Sequence, residues 1–523
     1  MSSAVSDTSG GVSKHSPDAG ATYAAELNAV HQCLQAEKTD LEHLVVPIHE
    51  AQVSPRQAYA LLKQGWLRLQ ELRDSQPEFS DASAQDAGLA HLIEQAFSHL
   101  RSGDTFSLDE SDTAFEQAYR RCLESGCAPR LTARIRAAQA RLATVRLGYR
   151  CAAERYAQAA SAEGLDVPLQ WRYQLQRASA LEDLGREFMD SAALEEAVDL
   201  YETRVLALAP REERPDDWAA TQHHLGNALG ALGQRQRGTW LLEKAIAAFE
   251  SVLSERSRDR QPLDWAAAQN SLGYALGTLA QRHADSDMLE QSVEAFEAAL
   301  EVRSKEETPQ DWAITQNNLG AALLILGQRK KDKTILKQAS DAYKNVLQVW
   351  TREHAPLDWA VTMNNLGTAL RALGEQRKGP RTLEQSVAAY RGALSECVRE
   401  RVPQDWAMMQ NNLGAALHKL GEREEDVQHL EASIEAYENA LQEWTRERSP
   451  VTWAMTLANQ AAARKALAEL TGDVELVRRA LSDFRAIGDV FRAASHAQYY
   501  ELVVEQVALL RKLEKQILEA EEA

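Results

Sequence analysis

Tryptophan recurs at one fixed spacing along most of this chain. Neighbouring members of the series lie 47 residues apart, without an insertion or a deletion: Trp171, Trp218, Trp265, Trp312, Trp359, Trp406 and Trp453. A period of this length indicates a supersecondary unit that cannot bury its apolar side alone and therefore stacks on copies of itself. The 523 residues are thus predicted to form an elongated stack of repeats rather than one large core.

The first half of each repeat has the pattern of a long helix, here called helix A. In the copy that begins at Pro309, the proline suits the first helical turn, and Asp311 places a carboxylate near the positive helix end. Apolar and small residues follow in three- and four-residue steps from Trp312 to Leu326. Gly320 has counterparts in four other copies, Gly226, Gly273, Gly367 and Gly414. Because glycine inside a helix costs about 1 kcal/mol relative to alanine, its recurrence predicts a close approach of two helices.

The second half of each repeat predicts a shorter helix, helix B. We expect Gly327 to end helix A as a left-handed cap and a polar connection with Arg329 and Lys330 to lead into helix B. In helix B a small residue, Ala339, lies four positions before the aromatic Tyr343, an arrangement that lets two helices interlock. After helix B each copy carries a basic residue followed by an acidic one, such as Arg352 and Glu353, which predicts charge pairs along one edge.

These motifs resemble the tetratricopeptide repeat family. Leu319-Gly320 in helix A, Ala339 and Tyr343 in helix B, and the closing Pro356 match that family's signals in kind and order. The 47-residue unit is longer than the family's usual 34 residues, and it is most similar to the repeats of kinesin light chains and of sensor arrays in bacterial signalling or defence proteins. The resemblance implies a right-handed, all-α solenoid of about seven helix-turn-helix units.

Asparagine pairs precede the Leu-Gly step of helix A. The buried stripe leaves no room for both amides of a pair, so at least one should face the groove of the solenoid. Repeated amides would hydrogen-bond the backbone of an extended peptide, as in the asparagine ladder of peptide-binding tetratricopeptide proteins. Alternatively, the second amide of each pair ties adjacent helices together. The candidate partner-binding residues are His223, His224, Asn270, Asn317, Asn318, Asn364, Asn365, Asn411 and Asn412.

A basic rim is a second candidate surface. It comprises Arg235, Arg237, Arg282, Arg329, Lys330, Lys331, Lys333, Arg377, Lys378, Arg381 and Arg423, near the connections between helices A and B. The rim would suit an acidic peptide, although solubility of exposed connections explains the same residues.

Composition excludes several classes of function. A formal net charge of −19 disfavours nucleic acid as the principal ligand. No signal peptide and no apolar run long enough to span a membrane occur, so we expect a cytoplasmic protein. Five scattered cysteines suit a reducing compartment. No cofactor or metal site is predicted, and the absence of recognisable catalytic motifs predicts that the protein is not an enzyme.

The two ends of the chain depart from the repeat. We expect a disordered tail at 1–22, an N-terminal helical domain at 23–165 with a degenerate helix pair at 138–160, the solenoid at 166–486 and a capping helix at 487–523. Atypical end units are expected because the last face of a solenoid must meet water.

The sequence therefore predicts a non-catalytic scaffold or adaptor that recognises a partner protein or peptide in the groove. The alternative is a regulatory subunit or substrate of a separately encoded bacterial defence or signalling effector, such as a caspase-like protease.

Overall fold

A computed structural model describes residues 24, 27–28, 30–31, 39–51, 53–82, 86–493 and 497–522. The secondary structure of these residues is helical, and no strand occurs among them. The predicted tail at 1–22 lies outside the described residues. The chain divides into two compact units, unit 1 with Met1–Glu255 and unit 2 with Arg256–Ala523.

Unit 1 contains ten helices in its described part. They are α1 Thr39–Glu50, α2 Pro55–Asp74, α3 Ala87–Ser102, α4 Thr105–Ser125, α5 Pro129–Val145, α6 Tyr149–Ala160, α7 Val167–Glu187, α8 Ser191–Leu200, α9 Pro215–Arg235 and α10 Trp240–Glu255. From α3 onward each odd-numbered helix packs on the helix that follows it. Helix α4 begins at Thr105, with Asp104 as its N-cap.

Unit 2 contains eleven helices in its described part. They are α11 Pro262–His283, α12 Ser286–Leu300, α13 Pro309–Lys330, α14 Lys333–Val346, α15 Pro356–Glu375, α16 Arg381–Leu394, α17 Pro403–Glu424, α18 Val427–Leu441, α19 Pro450–Thr471, α20 Val474–Ala493 and α21 Ala497–Glu522. Odd-numbered helices from α11 to α19 are helices A, and each packs on its own helix B; from α13 onward each also packs on the preceding helix B. The all-α stack of helix pairs is confirmed.

The recurring glycine of helix A lies against the aromatic ring of helix B. A Cβ at Gly320 would lie 3.0 Å from Tyr343, and one at Gly367 would lie 2.8 Å from Tyr390. Both rings are buried. The small residue before the ring also contributes, since Ser386 Oγ donates a hydrogen bond of 2.7 Å to the Gly367 carbonyl. The close approach predicted from the glycines is therefore confirmed, and its cause is a ring that occupies the space of a Cβ.

The second recurring glycine does not cap helix A, so that prediction was wrong. Gly327 lies inside α13, where a Cβ would be 2.9 Å from Leu336 of helix B. The left-handed cap is Lys331, with φ of 51°, and Asp332 then caps α14 by accepting hydrogen bonds from its first backbone N–H groups. The connection from α13 to α14 consists of Lys331 and Asp332 alone.

The arginine after helix B packs on the tryptophan that starts the next helix A. Arg352 lies 5.6 Å from the ring of Trp359, and its Nε donates a hydrogen bond of 2.6 Å to Glu396 at the end of the following helix B. Arg399 repeats both contacts with Trp406 and Glu443. The predicted charge ladder therefore exists, but each arginine pairs one repeat ahead rather than with its sequence neighbour.

The tryptophan ring itself reaches helix B of its own repeat. A Cβ at Gly392 of α16 would lie 3.6 Å from Trp359 Cη2. Trp359 is half-buried and packs against a cluster that contains Leu357 of α15, Ala393 of α16 and Val402 of the following connection.

The C-terminal end of unit 2 closes with two long helices. Helix α20 packs on α19, and α21 packs on α20 through the buried Leu510 and Ile517. The predicted cap at 487–523 thus corresponds to the end of α20 together with α21, while its exact boundary, like the other domain boundaries, stays a prediction.

Candidate functional site

The asparagines of unit 2 form a continuous row across successive helices A. We call this row the amide ladder, and it comprises Asn270, Asn317, Asn318, Asn364, Asn365, Asn411, Asn412 and Asn459. Most of these side chains are half-buried, while Asn364 is buried and Asn459 is exposed.

Each rung of the ladder joins two neighbouring repeats in the same direction. Asn412 Nδ2 donates to Asn364 Oδ1 at 2.9 Å, and Asn318 Nδ2 donates to Asn270 Oδ1 at 3.2 Å. The rungs Asn365 to Asn317 and Asn459 to Asn411 each measure 3.4 Å. The second amide of a pair therefore ties its helix A to the preceding one, as the alternative interpretation of these residues predicts.

The rungs leave part of each amide unused. An asparagine carries two N–H donors and an oxygen with two lone pairs, and a rung takes only one of these groups from each partner. In the described part of the chain, Asn317 and Asn411 have no acceptor for their Nδ2 groups, and Asn318 and Asn412 have no donor to their Oδ1 atoms. In the pair between them, Asn364 Nδ2 donates to Asn365 Oδ1 at 3.5 Å, so these two groups keep only one N–H and one lone pair for a ligand. With that exception, a row of donors runs beside a row of acceptors.

Apolar side chains flank the ladder one helical turn toward the start of each helix A. We call this set the apolar column: Ala267, Ile314, Val361, Met408 and Met455, each three residues before the first position of the asparagine pair. Ile314 is 41% exposed and Met455 is 47% exposed, while the other three are half-buried. Apolar atoms beside unused amide groups suit a polypeptide, which presents both kinds of surface.

A small cleft opens beside Asn318 between α11 and α13. Its volume is about 70 Å³, and its walls include Tyr274 and Gly277 from α11, Phe296 from α12, and Ala321 with Asn318 from α13. Sequence reasoning missed this cleft. The available signal was Gly277 itself, because the same position of the next three repeats holds Leu324, Arg371 and His418.

The equivalent positions of unit 1 carry a different polar cluster. His224 Nδ1 lies 3.3 Å from Glu182 Oε2, and the Tyr201 hydroxyl donates to the same carboxylate at 2.9 Å. His223 contacts the edge of the Phe249 ring instead. The two histidines therefore do not repeat the asparagine arrangement.

The pKa values of this pair shift in opposite directions. Burial acts to raise the pKa of Glu182, but the hydrogen bond and charge of His224 lower it below its usual value overall. Burial acts to lower the pKa of His224, and the Glu182 carboxylate more than offsets this, so its pKa is raised. The geometry thus favours an ion pair that holds α7 and α9 together.

Arginines of the basic rim form hydrogen bonds to the backbone of the preceding repeat. Arg329 Nη1 donates to the carbonyls of Ala280 at 3.3 Å and Asp285 at 3.1 Å, where the preceding helix A ends. Arg423 Nη1 donates in the same way to Gly374 at 2.6 Å. These guanidinium groups satisfy helix C-terminal carbonyls that have no partner within their own helix. An acidic ligand would have to compete with those bonds.

Unit 1 contains a polar cleft of about 280 Å³, which the sequence did not predict. Arg68, Arg141 and Asp183 line it together with the buried Tyr156. Arg68 is engaged by Asp183 at 2.8 Å. Glu187 lies next to this pair, and burial is the main cause that raises its pKa to about 7. Two arginines and acidic groups in one cleft largely neutralise each other, so the cleft carries no strong charge preference.

Comparison with known proteins bears on the repeat. Residues 406–443, which run from Trp406 through helix B of that copy, match the family model described as a tetratricopeptide repeat. The resemblance to tetratricopeptide repeats is confirmed. Its further likeness to the 47-residue kinesin light chain and bacterial sensor repeats stays a prediction. A search of curated protein sequences finds no match to this chain.

Several solved helical structures are similar to the chain at low identity. A Rap protein complexed with competence and sporulation factor has 12% identity, covers 74% of this chain and 100% of its own, and gives a TM-score of 0.37. A human IFIT1 dimer with PPP-AAAA has 13% identity, with coverage of 93% and 94% and a TM-score of 0.39. The APC/C hetero-tetramer Cut9-Hcn1 has 13% identity, with coverage of 94% and 96% and a TM-score of 0.27.

The described residues contain neither a membrane-spanning helix nor a cluster of metal-ligating side chains. None of the helices there combines the length and apolar character needed to cross a lipid bilayer. Over the same residues, histidine, cysteine and carboxylate side chains do not gather in threes that would hold a metal ion.

Proposed function

We propose that the protein is a non-catalytic scaffold that binds an extended segment of a partner protein along the amide ladder of unit 2. The observation that carries this proposal is the row of unused donors and acceptors left by the rungs. A polypeptide backbone presents carbonyl acceptors and N–H donors in alternation, which complements these two rows.

The spacing of the ladder favours an extended peptide. Packed helices lie about 8–10 Å apart, and direct rungs between Asn412 and Asn364 require such neighbours. An extended chain advances about 3.3 Å per residue, so one amide pair would meet the peptide about every third residue. The side chains between these contacts would then reach the apolar column.

The test removes the unused donors while keeping the rungs. In the groove variant, Asn317→Asp with Asn411→Asp, each carboxylate still accepts the rung, but the two Nδ2 groups are lost. The matched control, Asn345→Asp with Asn439→Asp, adds the same two charges on helices B, where these asparagines accept hydrogen bonds from Gln348 and Gln442.

The assay begins with a random peptide display library panned on the wild-type protein. The affinities of selected peptides are then measured by fluorescence anisotropy. A hydrogen bond contributes about 1 kcal/mol, so loss of two should weaken binding at least tenfold in the groove variant and less than twofold in the control. Failure to enrich any peptide, or equal binding to wild type and groove variant, would refute the proposal.

The alternative function remains a prediction from the sequence. A regulatory subunit or substrate of a bacterial effector such as a caspase-like protease would use contacts outside the ladder, and no described contact favours it over the scaffold. The cytoplasmic location and the absence of a cofactor, of catalysis, of a nucleic-acid ligand and of membrane attachment belong to the same proposal.

A further inference from the structure

The cleft beside Asn318 is a local property of one repeat. Gly277 makes it, because the adjacent α13 carries Leu324 at the same position of its own repeat. Gly277 lines the cleft together with Tyr274, which is 47% exposed. The other repeats of unit 2 have larger side chains at the position of Gly277: Leu324, Arg371, His418 and Lys465.

The lining of the cleft determines what it can accept. Phe296, Leu289 and Ala322 supply apolar atoms from below, while no charged residue lines it. The cleft of about 70 Å³ is close to half of the roughly 150 Å³ that accommodates benzene in an engineered protein cavity. Three or four carbon atoms fill such a space, which is the size of a valine side chain.

The amide at the rim connects the cleft to the ladder. Asn318 Nδ2 donates a hydrogen bond of 3.2 Å to Asn270 Oδ1. Asn318 Oδ1 accepts no hydrogen bond from the part of the chain that the structure describes. A peptide N–H bound to that oxygen would place the side chain of the same or the adjacent residue over the cleft. The backbone contact and the side-chain contact therefore belong to one ligand.

We propose that the Gly277 cleft is the specificity pocket of the amide ladder and takes one small apolar side chain, of about the size of valine, from an extended peptide. This inference rests on the proposed function. It adds the residue preference that the repeating amides cannot supply, because they contact only the backbone.

The test fills the cleft with the residues of the next repeat. Gly277→Leu with Ser292→Ala copies the pair Leu324 and Ala339, which α13 and α14 already accommodate. Ser292→Ala is included because a Cβ at Gly277 would lie 3.0 Å from Ser292 Oγ. The matched control carries Ser292→Ala alone. A second filling variant, Ala321→Leu, closes the mouth from an exposed position and serves if the first does not fold.

The measurement uses the display library panned on the wild-type protein. The selected peptides should share a small apolar residue at one fixed position, and both filling variants should bind them about tenfold more weakly than the Ser292→Ala control. Replacing the shared residue by glycine should weaken binding to the control by a similar factor and have little effect on the filled variants.

The failures of the two proposals are distinguishable. If selected peptides lose affinity for the Asn317→Asp, Asn411→Asp variant but bind the filled variants normally, the ladder binds peptide and the pocket inference is overturned. If neither change affects affinity, or no peptide is enriched, both are overturned.

Discussion

Two glycines one helical turn apart in α9 should respond oppositely to the same substitution. A Cβ at Gly226 would lie 2.6 Å from Phe249 Cε1 and 2.9 Å from its Cζ, whereas a Cβ at Gly230 would meet only Ala245 Cβ at 3.9 Å. Carbon atoms pack favourably at about 3.5–4.0 Å, so Gly226→Ala forces the buried ring to move by about 1 Å. Gly230→Ala requires no movement.

The magnitudes follow from two opposing effects. Alanine is more favourable than glycine inside a helix by about 1 kcal/mol, and this gain applies at both positions. Overpacking a close-packed core costs about 1–3 kcal/mol, and this loss applies only at Gly226. We therefore expect Gly230→Ala to stabilise the protein by about 0.5–1 kcal/mol and Gly226→Ala to destabilise it by up to about 2 kcal/mol.

Urea unfolding followed by circular dichroism at 222 nm measures the difference. Repeat arrays can unfold in segments, so the unfolding slopes of both variants must match the wild type before free energies are compared. Thermal midpoints give a second ranking of the two variants. If Gly226→Ala proves as stable as Gly230→Ala, the ring does not require the missing Cβ and the explanation of the recurring glycine is wrong.

Three further predictions concern charge and backbone geometry. Because the pKa of His224 is raised, its contribution to the stability of unit 1 is complete below the unfolded pKa of 6.5 and is lost as pH rises through the folded pKa. Urea unfolding from pH 5.5 to 8.5 should show this loss in wild type relative to His224→Gln, and a pH-independent difference would contradict it. Arg329→Ala should lower the free energy of unfolding by about 1–2 kcal/mol, since it leaves helix-end carbonyls unpaired, whereas Lys333→Ala in the same rim should be neutral. Equal effects of Arg329→Ala and Lys333→Ala on the free energy of urea unfolding would contradict this role of Arg329. Lys331→Gly should raise the thermal midpoint and the unfolding free energy by about 0.5–1 kcal/mol, because its φ of 51° is strained for a side chain; a decrease would contradict this.

The repeat architecture was predictable because its signals recur. Pro309, Gly320 and Tyr343 have counterparts at the same spacing, and the glycine-to-ring contact recurs in five copies, at Gly226, Gly273, Gly320, Gly367 and Gly414. The existence of helices A and B, their pairing and the glycine-to-ring contact followed from this pattern. The start of α13 at Pro309 agrees with the residue that suits a first helical turn.

Features that do not recur from repeat to repeat could not be predicted from the sequence. Glu182, the partner of His224, has an apolar counterpart, Leu229, in the next repeat, so periodicity could not identify it. The sequence predicted Gly327 rather than Lys331 as the C-terminal cap of helix A, because glycine is the residue that most often adopts the left-handed conformation there. Sequence could place the asparagines on one face, but it could not decide how two adjacent amides divide their donors and acceptors.

The rungs also constrain the number of residues between the proline and the first asparagine of each repeat. Each first asparagine stands eight residues after the proline that begins its helix, as Asn317 does after Pro309 and Asn364 after Pro356. One inserted residue in that stretch would turn the amide by about 100° and shift it by about 1.5 Å along the axis. The rungs on both sides would then break together. One inserted residue in a copy therefore disturbs both neighbouring repeats, which gives a structural reason for the exact period of the tryptophans over the four intervals from Trp265 to Trp453.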